Sequence, residues 1–142
     1  MIDDFIKAWD ENKEKLKKHI KSHQQKDYNT YKKIVYIIFE QIINPYLERK
    51  NKITFDLNKI HEIDDGEYQG TLIFIIPYDT YQPSYWQYVA TFIHYGSCSG
   101  CDYLQGISHY DENFPTTEQT DEYMKLCLSI LQHCKPPFNY ED

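Results

Sequence analysis

Thr91-Phe92-Ile93-His94-Tyr95-Gly96-Ser97-Cys98-Ser99-Gly100-Cys101-Asp102-Tyr103-Leu104 is the stretch on which the fold turns. A β-type apolar run breaks at Gly96, and a loop of small residues then carries two cysteines. Asp102 opens what the pattern predicts as a short helix to Ile107. Working back, the spacing predicts a strand from about Trp86 to Tyr95 and a polar loop bracketed by Pro77 and Pro83. Another strand is predicted from about Tyr68 to Ile76. Asp64-Asp65-Gly66 reads as a tight hairpin turn, since glycine can take left-handed geometry there. From Lys52 onward, Ile53, Phe55 and Leu57 alternate with Thr54, Asp56 and Asn58, which predicts the first strand. Three successive strands joined by turns make an antiparallel meander.

Working forward, Ser108 to Pro115 reads as loop. Thr116-Thr117-Glu118-Gln119 fits a capping box, in which Thr116 and Gln119 each satisfy a backbone N–H. The helix it opens spans about 118–134 and buries Tyr123, Cys127, Ile130, Leu131 and Cys134, and Lys135-Pro136-Pro137 stops it. Two helices precede the sheet. Over 2–22, Ile2, Phe5, Ile6, Trp9, Leu16 and Ile20 fall near 3.6 spacing, with Lys13, Lys15, Lys17 and Lys18 on the remaining face. From about Tyr28 to Asn44, Tyr31, Ile34, Val35, Ile38, Ile42 and Ile43 form a band wide enough for burial on more than one side. Pro45 ends or kinks this second helix. The expectation is a single α+β domain over 1–142.

Composition narrows the function classes. Aromatics are 16% of the 142 residues and include 14 tyrosines, which suit cores and contact surfaces alike. Arg49 is the only arginine and the formal charge is −7, so a protein that grips nucleic-acid phosphates is not expected. The lysines of the first helix read as a solvated face. The longest apolar run, Leu72–Ile76, is far too short to cross a bilayer, and Met1 to Asp4 lacks the pattern of an export signal. A cytoplasmic protein with no membrane partner is the expectation, and its cysteines read as thiols or ligands rather than a disulfide framework.

Register places a candidate site. If the loop after Ile76 closes an ordinary hairpin, Ile76 lies near Gln87 and Gln69 faces His94. If Asp64-Asp65-Gly66 closes the first hairpin, Ile63 faces Glu67 and His61 faces Gln69. His61, Gln69 and His94 then share a row on one face. The acidic turn and the cysteine loop meet at one end of the sheet. The candidate binding residues are therefore His61, Asp65, Gln69, His94, Tyr95, Ser97, Cys98, Ser99, Cys101 and Asp102.

Cys98-x-x-Cys101 carries three meanings. A thiol at a helix start becomes a better thiolate and can exchange with disulfides. The strand, CxxC and helix order is that of thioredoxin-like proteins, but the further strands that fold needs are not predicted. Two cysteines at this spacing also supply half of a zinc site, and His94, His109, or one of His133 and Cys134 could complete it. Cys127 and Cys134 lie roughly 10 Å apart by helix rise, too far to share one zinc. A zinc-deaminase pattern fails because Glu62 directly follows His61 and no proline precedes Cys98. The third meaning is structural: Gly96, Ser97, Ser99 and Gly100 permit a tight turn, and small thiols pack beside it. Hydrolase and phosphate-loop motifs are absent, so no catalytic residues are proposed.

Asp65-Gly66-Glu67-Tyr68-Gln69-Gly70, with Tyr95-Gly96-Ser97-Cys98-Ser99-Gly100-Cys101-Asp102-Tyr103-Leu104-Gln105, resembles a group of small uncharacterised bacteriophage proteins. These carry a DGxYQG segment and an aromatic-GSCSGCD-x-L run, and the likeness covers roughly residues 60–107. No established activity comes with it. It implies a phage-type accessory protein in the host cytoplasm. With the acidic charge and the tyrosines, the expectation becomes a non-enzymatic protein that binds a host protein, with inhibition of that protein as one outcome of binding. Tyr78, Tyr81, Tyr85 and Trp86 are the expected interface, because aromatics dominate contact energies. The alternative is a zinc-binding or thiol-redox protein centred on Cys98 and Cys101.

Overall fold

The computed structural model describes residues 2–67, 69–98, 100–107 and 113–136. It is an α+β fold in the order α1 (Ile2–Lys21), α2 (Tyr31–Ile38), α3 (Asn44–Arg49), β1 (His61–Asp64), β2 (Gly70–Pro77), β3 (Tyr88–Tyr95) and α4 (Thr117–Gln132). The strands form one antiparallel sheet in the order β1-β2-β3, as the meander reading expects.

The buried stripe of α1 is Phe5, Ala8, Asn12, Leu16 and Ile20. Ile2 and Ile6, expected in that stripe, face out instead. Ile6 lies about 100° round the helix from Phe5, whereas Ile2 is in line with Ile20 and stands at the first position of α1. The second helix does not end at Pro45. A π-helical turn, Phe39–Ile43, joins α2 to α3, and Pro45 sits in the first turn of α3. A proline in a regular α-helix would clash with the carbonyl four residues back; the wider turn turns that carbonyl aside. Asn12, buried on α1, donates to the Ile42 carbonyl at 2.9 Å and so supports the altered turn.

The strand expected from Lys52 is mostly not one. Phe55 makes a single bridge to Tyr78, and both polar groups of its backbone pair with the Asn44 side chain, at 3.1 Å and 2.9 Å. Its ring closes a triangle with Phe5 and Phe39. The alternation of Ile53, Phe55 and Leu57 thus reflects an extended segment tied to a helix side chain. Ladder pairing begins only at His61.

The helices cover one face of the sheet. Phe74, Ile76, Val89 and Ile93 are buried there, and the Thr91 hydroxyl donates to the Ile130 carbonyl of α4 at 2.7 Å. The opposite face carries His61, Ile63, Ile73, Ile75, Phe92 and His94, half-buried or exposed. Thr116 and Gln119 form the expected capping box at the start of α4. After Cys101, residues 102–107 make hydrogen-bonded turns in place of the expected short helix. Among the described residues no helix is long and apolar enough to cross a membrane.

Candidate functional site

The register differs from expectation and rearranges the site. Ile63 pairs with Ile73 instead of Glu67, because the chain between β1 and β2 is a longer loop than the turn signal implied. Asp65 and Thr71 close this loop: the Thr71 amide donates to the Asp65 carboxylate at 2.6 Å, and the Asp65 amide to the Thr71 carbonyl. Two glycines permit the loop's tight return. A Cβ on Gly66 would lie 2.1 Å from the Gln69 carbonyl oxygen, and one on Gly70 would lie 2.7 Å from the Asp65 carboxylate. The second hairpin shifts by an even step, with Ile76 opposite Val89, so its faces are those expected.

His61, Gln69 and His94 therefore do not share a row. His61 pairs with Ile75, while His94 pairs with Thr71 and meets its hydroxyl at 2.9 Å. Gln69 lies in the loop, outside the ladder. The two histidines keep the same face but are separated along the strands. The shared end of the sheet holds: Gly70 pairs with Tyr95. Gly70 has no side chain, so the Tyr95 ring can lie across it, and its hydroxyl donates to Asp64 at 2.6 Å. That bond holds the Asp64 carboxyl below its ordinary range and pushes the Tyr95 phenol up to about 12.

The cysteine loop folds back on Gly96. A Cβ at Gly96 would lie 2.3 Å from the Cys101 carbonyl oxygen and 2.8 Å from its sulfur. Only glycine admits that approach. Asp102 fixes the far side of the loop. Its buried carboxylate accepts from the Tyr31 hydroxyl at 2.7 Å, the Gly96 amide at 3.1 Å and the Gln105 amide at 2.9 Å. Three donors on one buried carboxylate make Asp102 an organising residue for the loop. Tyr31, from the start of α2, also accepts from the Leu104 amide at 3.1 Å, which joins the helix to the loop.

Cys98 and Cys101 are both exposed, and their sulfurs are 2.8 Å apart. The Cys98 amide donates to the Cys101 sulfur at 3.2 Å, and the Ser97 hydroxyl lies 3.9 Å from it. The Cys98 thiol beside it, with these donors, holds the Cys101 thiol below its ordinary pKa. Cys127 and Cys134 are buried core residues, and burial pushes both thiols up to about 12. Among the described residues, no group of three or more His, Cys, Asp or Glu side chains comes together to hold a metal ion. Ser99 and His109 lie outside the described residues.

Of the expected interface, Tyr78 turns inward. Its ring is 4.5 Å from that of Phe55, and it packs against the core. Tyr81, Tyr85 and Trp86 are 89%, 51% and 57% exposed. The last two form an edge-on pair with ring centroids 5.0 Å apart. Gln82, between them and Tyr81, has φ 48°, the left-handed region that side chains seldom occupy.

Sequence reasoning missed a cleft of about 1550 Å³ on the core side of the shared end. Glu62, Asp64 and Tyr95 line it from the sheet, Asp102 and Leu104 from the cysteine loop, Gln24 to Lys26 and Tyr28 to Thr30 from the α1–α2 connection, and Tyr31 from the start of α2. Tyr28, on that wall, is held by the His19 ring at 2.6 Å. No local pattern announces such a cleft, since its walls lie far apart in sequence. Comparison with protein-family models, curated proteins and solved structures gives no match.

Proposed function

We propose that this chain is a non-enzymatic protein that binds another protein, a host protein in the phage setting its sequence resembles, and blocks that partner's surface. The contact is made by the aromatic tip on the β2–β3 connection. The observation that carries this reading is the exposure of Tyr81, Tyr85 and Trp86 together on one loop. A fully exposed tyrosine beside a half-exposed edge-on aromatic pair offers apolar area to a partner, and such residues supply most of the contact energy in protein interfaces. Three carboxylates at or beside the two sequence motifs bond within the chain: Asp64 with Tyr95 and Gly66, Asp65 with Thr71, Asp102 with Tyr31 and Gly96. They build a scaffold, and the tip remains for recognition. The net charge of −7 favours a partner that is basic around an apolar pocket.

A photocrosslinking residue placed at Tyr81 tests this. In bacterial extract it should join one partner, and the purified partner should bind the wild-type chain directly. Replacing Tyr81, Tyr85 and Trp86 together by Ala should weaken that binding by at least roughly a hundredfold, with the melting temperature unchanged. Unchanged affinity in the folded triple variant would overturn the reading.

A further inference from the structure

We propose that Cys98 and Cys101 form a reversible dithiol–disulfide site, in which Cys101 attacks an accessible disulfide and Cys98 resolves the product. This stands apart from the aromatic tip and uses different residues.

Geometry carries the argument. The two sulfurs already touch at 2.8 Å, so a further approach of about 0.8 Å brings them to the bonded distance of about 2.05 Å. The loop is closed by its own backbone. The Cys101 and Asp102 amides both donate to the Cys98 carbonyl, at 3.1 Å and 2.9 Å. Asp102 is in turn pinned by Tyr31, Gly96 and Gln105. Little chain movement is therefore needed to switch between the two states.

The asymmetry of the pair assigns the roles. The Cys101 sulfur receives the Cys98 amide at 3.2 Å and faces the Cys98 thiol and the Ser97 hydroxyl. The amide is a fixed donor that favours the Cys101 thiolate, the nucleophile in exchange; when protonated, the Cys101 thiol donates to the Cys98 carbonyl at 3.5 Å. This is the reverse of the order in which the first cysteine of such a pair attacks. Cys98 and Cys101 are exposed residues, whereas Cys127 and Cys134 are buried, so an incoming disulfide can reach only the first pair.

The step balances as follows. The Cys101 thiolate attacks one sulfur of the incoming disulfide, forms a mixed disulfide and releases one thiolate. Cys98 gives up its proton and attacks the Cys101 sulfur. The Cys98–Cys101 bond forms and the second thiolate leaves. Two electrons pass from the dithiol to the incoming disulfide, and the two protons end on the released thiols.

Reduced full-length protein treated with glutathione disulfide, read by intact and peptide mass, tests the proposal. The wild type should lose two hydrogens at Cys98 and Cys101 and regain them with dithiothreitol, leaving Cys127 and Cys134 reduced. Cys98→Ser should stop at a glutathione adduct on Cys101. That adduct should form at least about tenfold faster than the adduct on Cys98 in Cys101→Ser. If either variant fails to fold by circular dichroism, acid-quenched wild type gives the same answer through the position of its first transient adduct, expected on Cys101. Equal rates, or a first adduct on Cys98, would overturn the assignment of roles. A wild type that never forms the internal bond would overturn the site. So would a zinc ion that stays with the reduced chain and leaves only on chelation, in favour of a metal centre.

Discussion

Asp102 is where a single side chain decides the most. Its carboxylate is buried and holds three donors from two parts of the chain, the Tyr31 hydroxyl and the amides of Gly96 and Gln105. Asp102→Ala leaves all three without a partner, and a loss of about 3 kcal/mol in stability is expected by urea unfolding. Asp102→Asn keeps one acceptor oxygen and should lose about half as much. Asp64 and Tyr95 give a pH signature. The folded carboxyl of Asp64 titrates below its unfolded value, so the bond's contribution is complete above the ordinary Asp range. It is lost as pH falls through the lower folded value. Tyr95 shifts the other way, to about 12, so on the alkaline side the contribution is complete below the ordinary phenol range and disappears as pH rises through 12. In a carboxyl-carbon NMR titration, Asp64 should have a midpoint below that of a free aspartate, and Tyr95→Phe should move it back up. None of this could be read from the sequence at full detail. The motif showed that Asp102 and the glycines sit together, but the one side-chain donor to Asp102 among these three is Tyr31, 71 positions away.

At the scale of elements, the clearest local signal was also the most accurate. Thr116 and Gln119 cap α4 reciprocally, at 3.1 Å and 2.9 Å, because capping depends only on residues within one turn. Thr116→Ala should cost about 1 kcal/mol in thermal or urea unfolding. The second and third strands and the antiparallel order were legible for a similar reason, since alternation and turn residues are local. Register was not. Asp64-Asp65-Gly66 does turn the chain, with the Gly66 amide donating to Asp64 at 2.9 Å. The strands nonetheless re-pair only beyond Gly70, because the loop closes through Asp65 and Thr71. Pro45 was half legible for a related reason, since a proline ends or kinks a helix and both outcomes, with a further turn through Leu47, were open. A proline ends an isolated helix, yet here a π turn and the Asn12 side chain, 30 positions from its acceptor, let the helix continue. The segment around Phe55 alternates like a strand but finds its hydrogen bonds on Asn44. In each case the missing information was a partner distant in sequence.

At the scale of the molecule, one sheet face is closed by the helices and the other is half open. The two sequence motifs meet at one end of the sheet, and the aromatic tip lies on the connection that joins β2 to β3 at the other. The proposed contact tip and the proposed thiol pair thus lie at opposite ends of β2 and β3. The sheet's edges differ as well. The Lys135 backbone pairs with Ala90 at 2.8 Å in both directions, so the outer side of β3 is already occupied there, and Pro136 follows with no N–H to offer. Among the described residues, β1 has β2 as its sole ladder neighbour, which leaves its outer side free. A strand added to this sheet would therefore find its unbroken row of backbone groups on β1, whereas the bridge at Ala90 interrupts the row on β3.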